Sequence, residues 1–598
     1  SSLVGSEMCI RDSDKLYNNT SNTASSYRLT LEYASNPAWY AIQALPTMSN
    51  PSNENAVNWI ASYYVNTLGS SIVRQYPKVA SMIQAWQKQG GDKQTLVSKL
   101  QKDEELKAVL LEETPWVLDA KDETEQMQRL SLLFDLNNTK QQTDAATRKL
   151  AELITSDGGW SWYKGLYPSR SVTQYILYGY ANLQKTGQVE YPQEIKEMQM
   201  KALKYIDNQI AEDFKNLKKY NKDWEKITTI STNQLEFAYV RSFYRDIPIS
   251  QEARAAERFY TDVATRNWTK LNMYERSILS VVLKQNGEKE QANKIVKSIK
   301  EHAVKNVKLG MYWPNNRSNV FMSLSAISVH TFLMDALEQN GASKEEMDMM
   351  KRWLLNQKRT QVWESTHASI DAISALLSSG TDWFATEPAS TEIKVGSKTV
   401  QPENKELGTG YFKQTWNKSE IANDMGKVEV TASTSQPAYG AMYWQYYENL
   451  DKITVQKGDL NVSKELFKEN VSAAGKGLTL ITESNPLAVG DKVIVRLTVR
   501  TDRDMDFVQL KDMRAPCFEP QQTISGTRWA GGLIYYQMTK DASTNFYFDH
   551  LPKGTYVLEY PVYVNRTGEY ANGITTIQCM YAPEFVSHTQ GIKVTVKE

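Results

Sequence analysis

Three times between residues 158 and 378 an aromatic turn runs into a helix that is apolar on nearly every side. Gly158-Gly159-Trp160-Ser161-Trp162 precedes residues 171–181, Gly310-Met311-Tyr312-Trp313-Pro314 precedes 318–327, and Gln361-Val362-Trp363-Glu364 precedes 365–373. Ser171, Ser318 and Ser365 stand where a hydroxyl can cap the orphan N–H groups of a helix start. Trp268, Trp313 and Trp363 recur at intervals of roughly 45–50 residues, close to the period of a helical repeat. Between them lie more polar, one-sided helices such as 250–263 and 288–304. A helix apolar all round must be buried, and a one-sided helix can cover it. Alternating the two kinds predicts an inner ring wrapped by an outer ring, an α/α toroid over residues 36–384. Among its helices are expected 53–68, 70–89, 92–111, 123–135, 138–156, 192–219, 288–305 and 319–339.

At 598 residues the chain exceeds a single core, so two to four domains are expected. A formal net charge of zero without a long basic run argues against nucleic acid as a partner. No apolar run approaches the roughly 18 residues of a membrane span. No amino-terminal apolar region of a secretory signal is present either. Residues 1–13 (Ser-Ser-Leu-Val-Gly-Ser-Glu-Met-Cys-Ile-Arg-Asp-Ser) read as a translated sequencing-adapter fragment and are expected to be disordered. On that reading the natural protein begins upstream of Asp14, and Cys9 leaves the cysteine count. Cys517 and Cys579 remain, an even pair in one β-rich region, expected to form a disulfide in an oxidising compartment.

Residues 14–26 read as a loop, and Tyr27-Arg28-Leu29-Thr30-Leu31-Glu32-Tyr33 alternates with the period of a strand. After Thr381 the composition turns to β. Residues 391–400 read as a hairpin with a Gly-Ser turn, and 426–432 and 441–447 as further strands of a small sandwich over 385–477. A second unit, 478–598, holds a strand with Val493, Val495, Leu497 and Val499 on one face, followed by short strands with turn signals between them. That pattern suggests an Ig-like sandwich.

Several stretches together resemble bacterial alpha-2-macroglobulins, in particular those of the Bacteroidetes type. They are Asn36-Pro37-Ala38-Trp39-Tyr40-Ala41-Ile42-Gln43-Ala44-Leu45-Pro46, Gly158-Gly159-Trp160-Ser161-Trp162 and Trp363-Glu364-Ser365-Thr366. Near the carboxyl end come Phe548-Asp549-His550-Leu551-Pro552-Lys553-Gly554-Thr555-Tyr556 and Met580-Tyr581-Ala582-Pro583-Glu584. The resemblance implies a thioester-type helical domain at 36–384 inserted into a CUB-like β-domain, to which 14–35 contributes a linker and a strand and 385–477 the rest. It implies a terminal macroglobulin-like domain at 478–598, so that the chain is the carboxyl-terminal part of a larger molecule. In thioester-bearing relatives a Cys-x-Glu-Gln follows the Asn-Pro-x-Trp-Tyr segment, and its cysteine is acylated by the glutamine side chain. That place here is Asn55-Ala56-Val57-Asn58, which holds neither Cys nor Gln. The expected protein is then a thioester-free, non-enzymatic binder of proteases or other envelope proteins in the periplasm or cell envelope. No cofactor is expected.

Other constellations are weaker. Neither Gly-x-Ser-x-Gly nor His-Glu-x-x-His occurs, and five histidines with two cysteines assemble no metal cluster. His330 and His367 fall on candidate inner helices, where a core role is commoner than a general base. Asp157, Glu364 and Asp371 are the carboxylates that glycoside chemistry would need, each also explicable as a turn, cap or helix-face residue. An α/α toroid followed by β-sandwiches also suits a polysaccharide lyase or glycosidase, the alternative from a different functional class.

Overall fold

The computed structural model describes residues 10–11, 13–36, 42, 45–51, 53–75, 135–187, 189–307, 309–316, 325–360, 365–380, 382, 390–402, 405, 410–433, 438–449, 452–472, 475–482, 485–580, 582 and 585–598. The expected helix at 92–111 and most of 123–135, together with Ser318, Trp363 and Glu364, lie outside the described residues.

The described helices are α1 Ser13–Tyr17, α2 Pro46–Ser49, α3 Ala56–Gln75, α4 Leu136–Leu153, α5 Arg170–Gly187, α6 Gln193–Tyr220 and α7 Thr232–Ser242. They continue with α8 Gln251–Arg266, α9 Met273–Gln285, α10 Lys289–Glu301, α11 Ala326–Gln339, α12 Lys344–Thr360 and α13 Thr366–Ser378. Helices α3, α5, α7, α9, α11 and α13 pack each on the next, and α13 returns to α3, so the inner ring closes. These helices are buried almost all round: in α11 every residue from Ile327 to Met334 is buried, and in α13 every residue from Ile370 to Leu376. Outside them α4, α6, α8 and α10 bury one stripe only, while α12 also buries every residue from Trp353 to Gln357. In α10 that stripe is Ala292, Ile295, Val296 and Ile299, the i, i+3, i+4, i+7 spacing of a helix lying on a core.

The aromatic turns have a specific job in this alternation. Trp160 is fully buried, and its indole N–H donates to the carbonyl of Leu150 at 2.9 Å, in the last turn of outer helix α4. Trp313 repeats the arrangement on α10, donating to Ile299 O at 2.8 Å. Each indole is a second donor to a helix-end carbonyl that already accepts a backbone N–H, from Ile154 at Leu150 O and from His302 at Ile299 O, and so pins the turn to the end of the outer helix. Caps follow the expected residue types, at partly different positions. Ser365 Oγ accepts from Ala368 N at 3.1 Å, and Ser325, rather than Ser318, caps α11 through Ser328 N at 3.0 Å. The break expected at Gly69 does not occur. Helix α3 runs through it because Leu68 and Ile72 bury beside it, which outweighs the roughly 1 kcal/mol that Gly costs a helix. The helix expected over 288–305 gives way earlier, since Val304–Asn306 pairs as a strand with Gly310–Tyr312.

The strand Ser25–Ala34 lies between Tyr439–Tyr447 and Phe412–Asn417 and pairs antiparallel with both. Ile10–Arg11 adds at the far edge against Tyr446 and Gln445, so the disorder expected of residues 1–13 does not hold at these two residues. Leu16 of α1, from a segment read as loop, is buried with Ile453, Met513 and Ile574. A second small sheet holds the expected hairpin, Thr391–Val395 with Lys398–Thr399, turning at Gly396 with φ +57°.

The terminal sandwich faces a five-stranded sheet, containing Leu460–Ser472, Lys492–Thr501 and Gly554–Val564, with a six-stranded one containing Met505–Met513 and Thr575–Cys579. Leu460–Ser472, assigned from sequence to the preceding unit, pairs along Lys492–Thr501 and puts Leu460, Val462 and Leu466 in the terminal core. The terminal unit therefore starts earlier than the expected residue 478. The expected disulfide is corrected too, for Cys517 and Cys579 are both buried and neither is in a disulfide. Cys517 belongs beside Phe518–Pro520 in the five-stranded sheet, and Cys579 ends a strand of the other. The Cys579 thiol is directed instead to the backbone, donating to Asp506 O at 3.5 Å. Burial pushes the Cys517 thiol up to about 11, which keeps it protonated and unreactive. Alkylation of unreduced, denatured protein is expected to label both residues, as read by peptide mass. Recovery of a Cys517–Cys579 cross-linked peptide would contradict the structure.

Candidate functional site

Asn55 to Asn58 form the start of α3. Asn55 is buried and acts as the N-cap: its side-chain oxygen accepts from Asn58 N at 2.9 Å, and its carbonyl takes Trp59 N at 3.0 Å. Ala56 N donates to Trp162 O at 3.0 Å, which ties this helix start to the aromatic loop that also carries Trp160. Asn58 Nδ2 reaches back to Asn53 O at 3.0 Å. One turn further on, Ser62 Oγ and Asn66 Nδ2 both donate to Ser49 O, at 2.7 and 2.9 Å, and hold α2 against α3. The side chains at these four positions are two carboxamides and two aliphatics. None supplies a thiolate or an acyl electrophile; what they supply is a capped helix.

The other sequence candidates separate. His330 is fully buried, stacked on Trp353 with ring centroids 4.2 Å apart, and one ring nitrogen meets Met350 O at 3.1 Å. Burial lowers its pKa to about 3, so it stays neutral and is a core residue. His367 packs against Tyr175 at 4.0 Å, and burial lowers it to about 4. Asp157 sits exposed in the turn before Gly158. Asp371 on α13 is buried and lines a pocket at the ring axis together with Asp335 of α11 and Lys185 of α5. Burial raises its carboxyl to about 7. Asp335 was missed in the sequence reading, although a signal existed: it interrupts an otherwise apolar inner helix, as Asp371 does on the next one. The pocket volume is about 30 Å³, room for about one water and far below the roughly 300 Å³ at which small-molecule sites begin.

Two outcomes follow. Asn55→Ala should cost about 0.5–2 kcal/mol in urea unfolding, the usual loss of an N-cap, and Asn55→Ser should recover most of it. An unchanged midpoint for Asn55→Ala would contradict the capping role. For His330, the unfolded chain takes up a proton near its ordinary pKa of 6.5, while the folded ring refuses it until about 3. The stability linked to this group is therefore full above that ordinary value and declines as pH falls toward the lower one. His330→Phe should flatten the acid-side slope of unfolding free energy against pH, and an unaltered slope would show that the ring is not buried neutral.

Comparison with known proteins adds sequence and fold relatives. Residues 460–584 match the family described as Bacterial Alpha-2-macroglobulin MG10 domain. An "Alpha-2-macroglobulin homolog" of Nostoc sp. is 22% identical over 496 residues, covering 79% of this chain and 24% of that protein. The chain thus spans about a quarter of the length of the curated relative it matches. Solved structures that are similar include trypsin activated alpha-2-macroglobulin from Escherichia coli, at TM-score 0.45 and 10% identity over 96% of this chain and 34% of that one. Salmonella alpha-2-macroglobulin reacted with methylamine aligns at TM-score 0.35 and 12% identity, over 97% and 32% of the two chains. With an MG10 match at residues 460–584 and a homolog aligned along most of its length, the chain is similar to bacterial alpha-2-macroglobulins.

Proposed function

We propose that this chain is the carboxyl-terminal part of a bacterial alpha-2-macroglobulin-like protein that restrains proteases without a covalent bond to them. The observation that carries this reading is the helix start at Asn55–Asn58. The stretch matched by resemblance to the thioester position is occupied by an N-cap and its first turn, with Ala56 tied to Trp162. A covalent trap needs a thiol acylated by a carboxamide there, and these residues offer neither a thiol nor a glutamine. Capture would then depend on burial and electrostatics at the contact surface. The role is that of an inhibitor rather than an enzyme, and its setting is the periplasm or cell envelope, where proteases and other envelope proteins are the partners. The alternative as a lyase or glycosidase finds little support at the ring axis. His330 is packed in the core, and the pocket beside Asp371 has no room for a sugar ring.

Methylamine opens thioesters by aminolysis, adding its mass to the acyl carbon and releasing one thiol. The full-length protein treated with it should gain neither mass nor a thiol beyond those already present. Incubated with a protease, it should give a complex that denaturant dissociates completely. A denaturant-resistant adduct mapping to residues 50–60 would overturn the non-covalent reading. Absence of any complex or inhibition across serine, cysteine and metalloproteases would overturn the protease-binding role itself.

A further inference from the structure

Asp371 is 4% exposed, yet its Oδ1 has no hydrogen-bond partner among the described residues. The Ser328 hydroxyl serves the carboxylate from α11, and Oδ1 is left over. A buried carboxylate oxygen without a donor is costly unless something outside the protein meets it. The cavity that Asp371 lines has the volume of about one water or one small ion.

The hydroxyls of serine and threonine in the walls of this cavity are already committed as donors. Thr331 Oγ1 donates to Ser328 O at 2.7 Å and Ser378 Oγ donates to Ser374 O at 2.8 Å, each spending its only hydrogen within its own helix. Ser374 Oγ donates to Asn182 Oδ1 at 2.6 Å. A hydroxyl committed in this way turns lone pairs to any guest. Asp335 is already answered: Lys185 Nζ and Gln339 Nε2 reach Oδ1 at 3.0 and 2.9 Å, and the Tyr239 hydroxyl reaches Oδ2 at 3.0 Å. Lys185 therefore balances Asp335, and ionised Asp371 leaves a single unmatched negative charge in a nest of neutral oxygens. That charge count suits a monovalent ion. A divalent ion such as calcium draws on several carboxylates, and among the described residues no group of three or more His, Cys, Asp or Glu side chains could hold a metal.

We infer that the pocket formed by Asp371, Thr331, Ser378 and Asn182 at the axis of the helical ring binds a monovalent cation of the sodium, potassium or ammonium class. Such an ion supplies Oδ1 with its missing partner and cross-links α5, α11 and α13 from the inside. Binding competes with protonation of Asp371, whose carboxyl is held up near 7 by burial. The charged and titratable groups around it are Tyr64 of α3, Lys185, Tyr175 and Tyr178 of α5, Tyr239 of α7, Tyr274 of α9 and Asp335 of α11. Burial raises all of these tyrosines above their ordinary value, so none ionises near neutrality. Affinity is therefore higher in mild base than in mild acid.

The test is the melting temperature of the chain in sodium, potassium, ammonium and choline chlorides at equal concentration, in mildly basic and mildly acidic buffer. At least one small cation should raise the transition by about 2 °C or more over choline in mild base, and by less in mild acid. Asp371→Asn should abolish the difference and Thr331→Val should reduce it. Should Asp371→Asn fail to fold, Thr331→Val and the pH arm decide the matter. Equal melting in all four salts would mean that the pocket holds water alone, and would overturn the proposal. A cation-specific rise that survives unchanged in Thr331→Val or in Asp371→Asn would place the ion elsewhere and overturn it equally.

Discussion

Everything on the amino-terminal side of this chain hangs on one strand. Ser25–Ala34 is zipped on both edges, against Phe412–Asn417 and Tyr439–Tyr447, and Tyr443 Oη donates to Glu32 at 2.6 Å across 411 positions of sequence. Closing a loop of that length costs about 5 kcal/mol in chain entropy. The strand offsets the cost by burying Leu29, Leu31 and Tyr33 against Phe412, Trp416 and Trp444, at about 1.5–3 kcal/mol for each large apolar side chain. Once it is in place the helical ring is an insertion, entered after Ala34 and left before Thr391. The chain leaves this sheet for the ring and rejoins it at Phe412–Asn417, after the separate hairpin sheet of Thr391–Val395, while the last inner helix packs on the first, the contact that closes the ring.

Within the ring, the rule of construction is polar as much as apolar. Trp160 and Trp313 are buried and each also donates to a helix-end carbonyl, on Leu150 and Ile299, beside the backbone N–H that carbonyl already accepts. This is why aromatic turns recur in the sequence and why the alternation of buried and one-sided helices was legible there. Helix positions were readable because the apolar period and the capping residues agree at α8 and α13. Failures came where tertiary burial overrode a local signal. Gly69 reads as a break, but buried neighbours carry the helix through it. Leu16 lies in a polar stretch, yet it plugs the seam between the β-units. Cys517 and Cys579 form an even pair by count, and no sequence pattern shows that they belong to opposite sheets. His330, which faces α12, and Asp371, at the ring axis, were legible as helix residues. The grouping of Asp371 with Asp335 and Lys185 required the fold, because three helices contribute one residue each.

The terminal sandwich has its own internal tie. Lys464 and Asp512 are buried and meet at 2.6 Å between the two sheets. Lys464 spends its remaining hydrogens on Met513 O and Gly573 O, while Asp512 also accepts from the Tyr560 and Thr575 hydroxyls. A buried pair this fully satisfied adds little net stability over an apolar substitute. Its value lies in admitting one register of the two sheets, since any slip would leave a buried charge unpaired. It joins Leu460–Ser472 to the six-stranded sheet, which is why that strand belongs to the terminal unit rather than to the one before it.

The account stands on the strand Ser25–Ala34 being an integral part of a sheet in which both strands beside it, Phe412–Asn417 and Tyr439–Tyr447, follow the ring. Hydrogen exchange of its backbone amides measures this directly. Amides of Ser25–Ala34 that pair in the ladders should exchange as slowly as those of Phe412–Asn417 and Tyr439–Tyr447, opening with them as one cooperative unit. Exchange of Ser25–Ala34 at the rate of an unstructured tail, while the other two strands stay protected, would contradict the inserted-ring architecture.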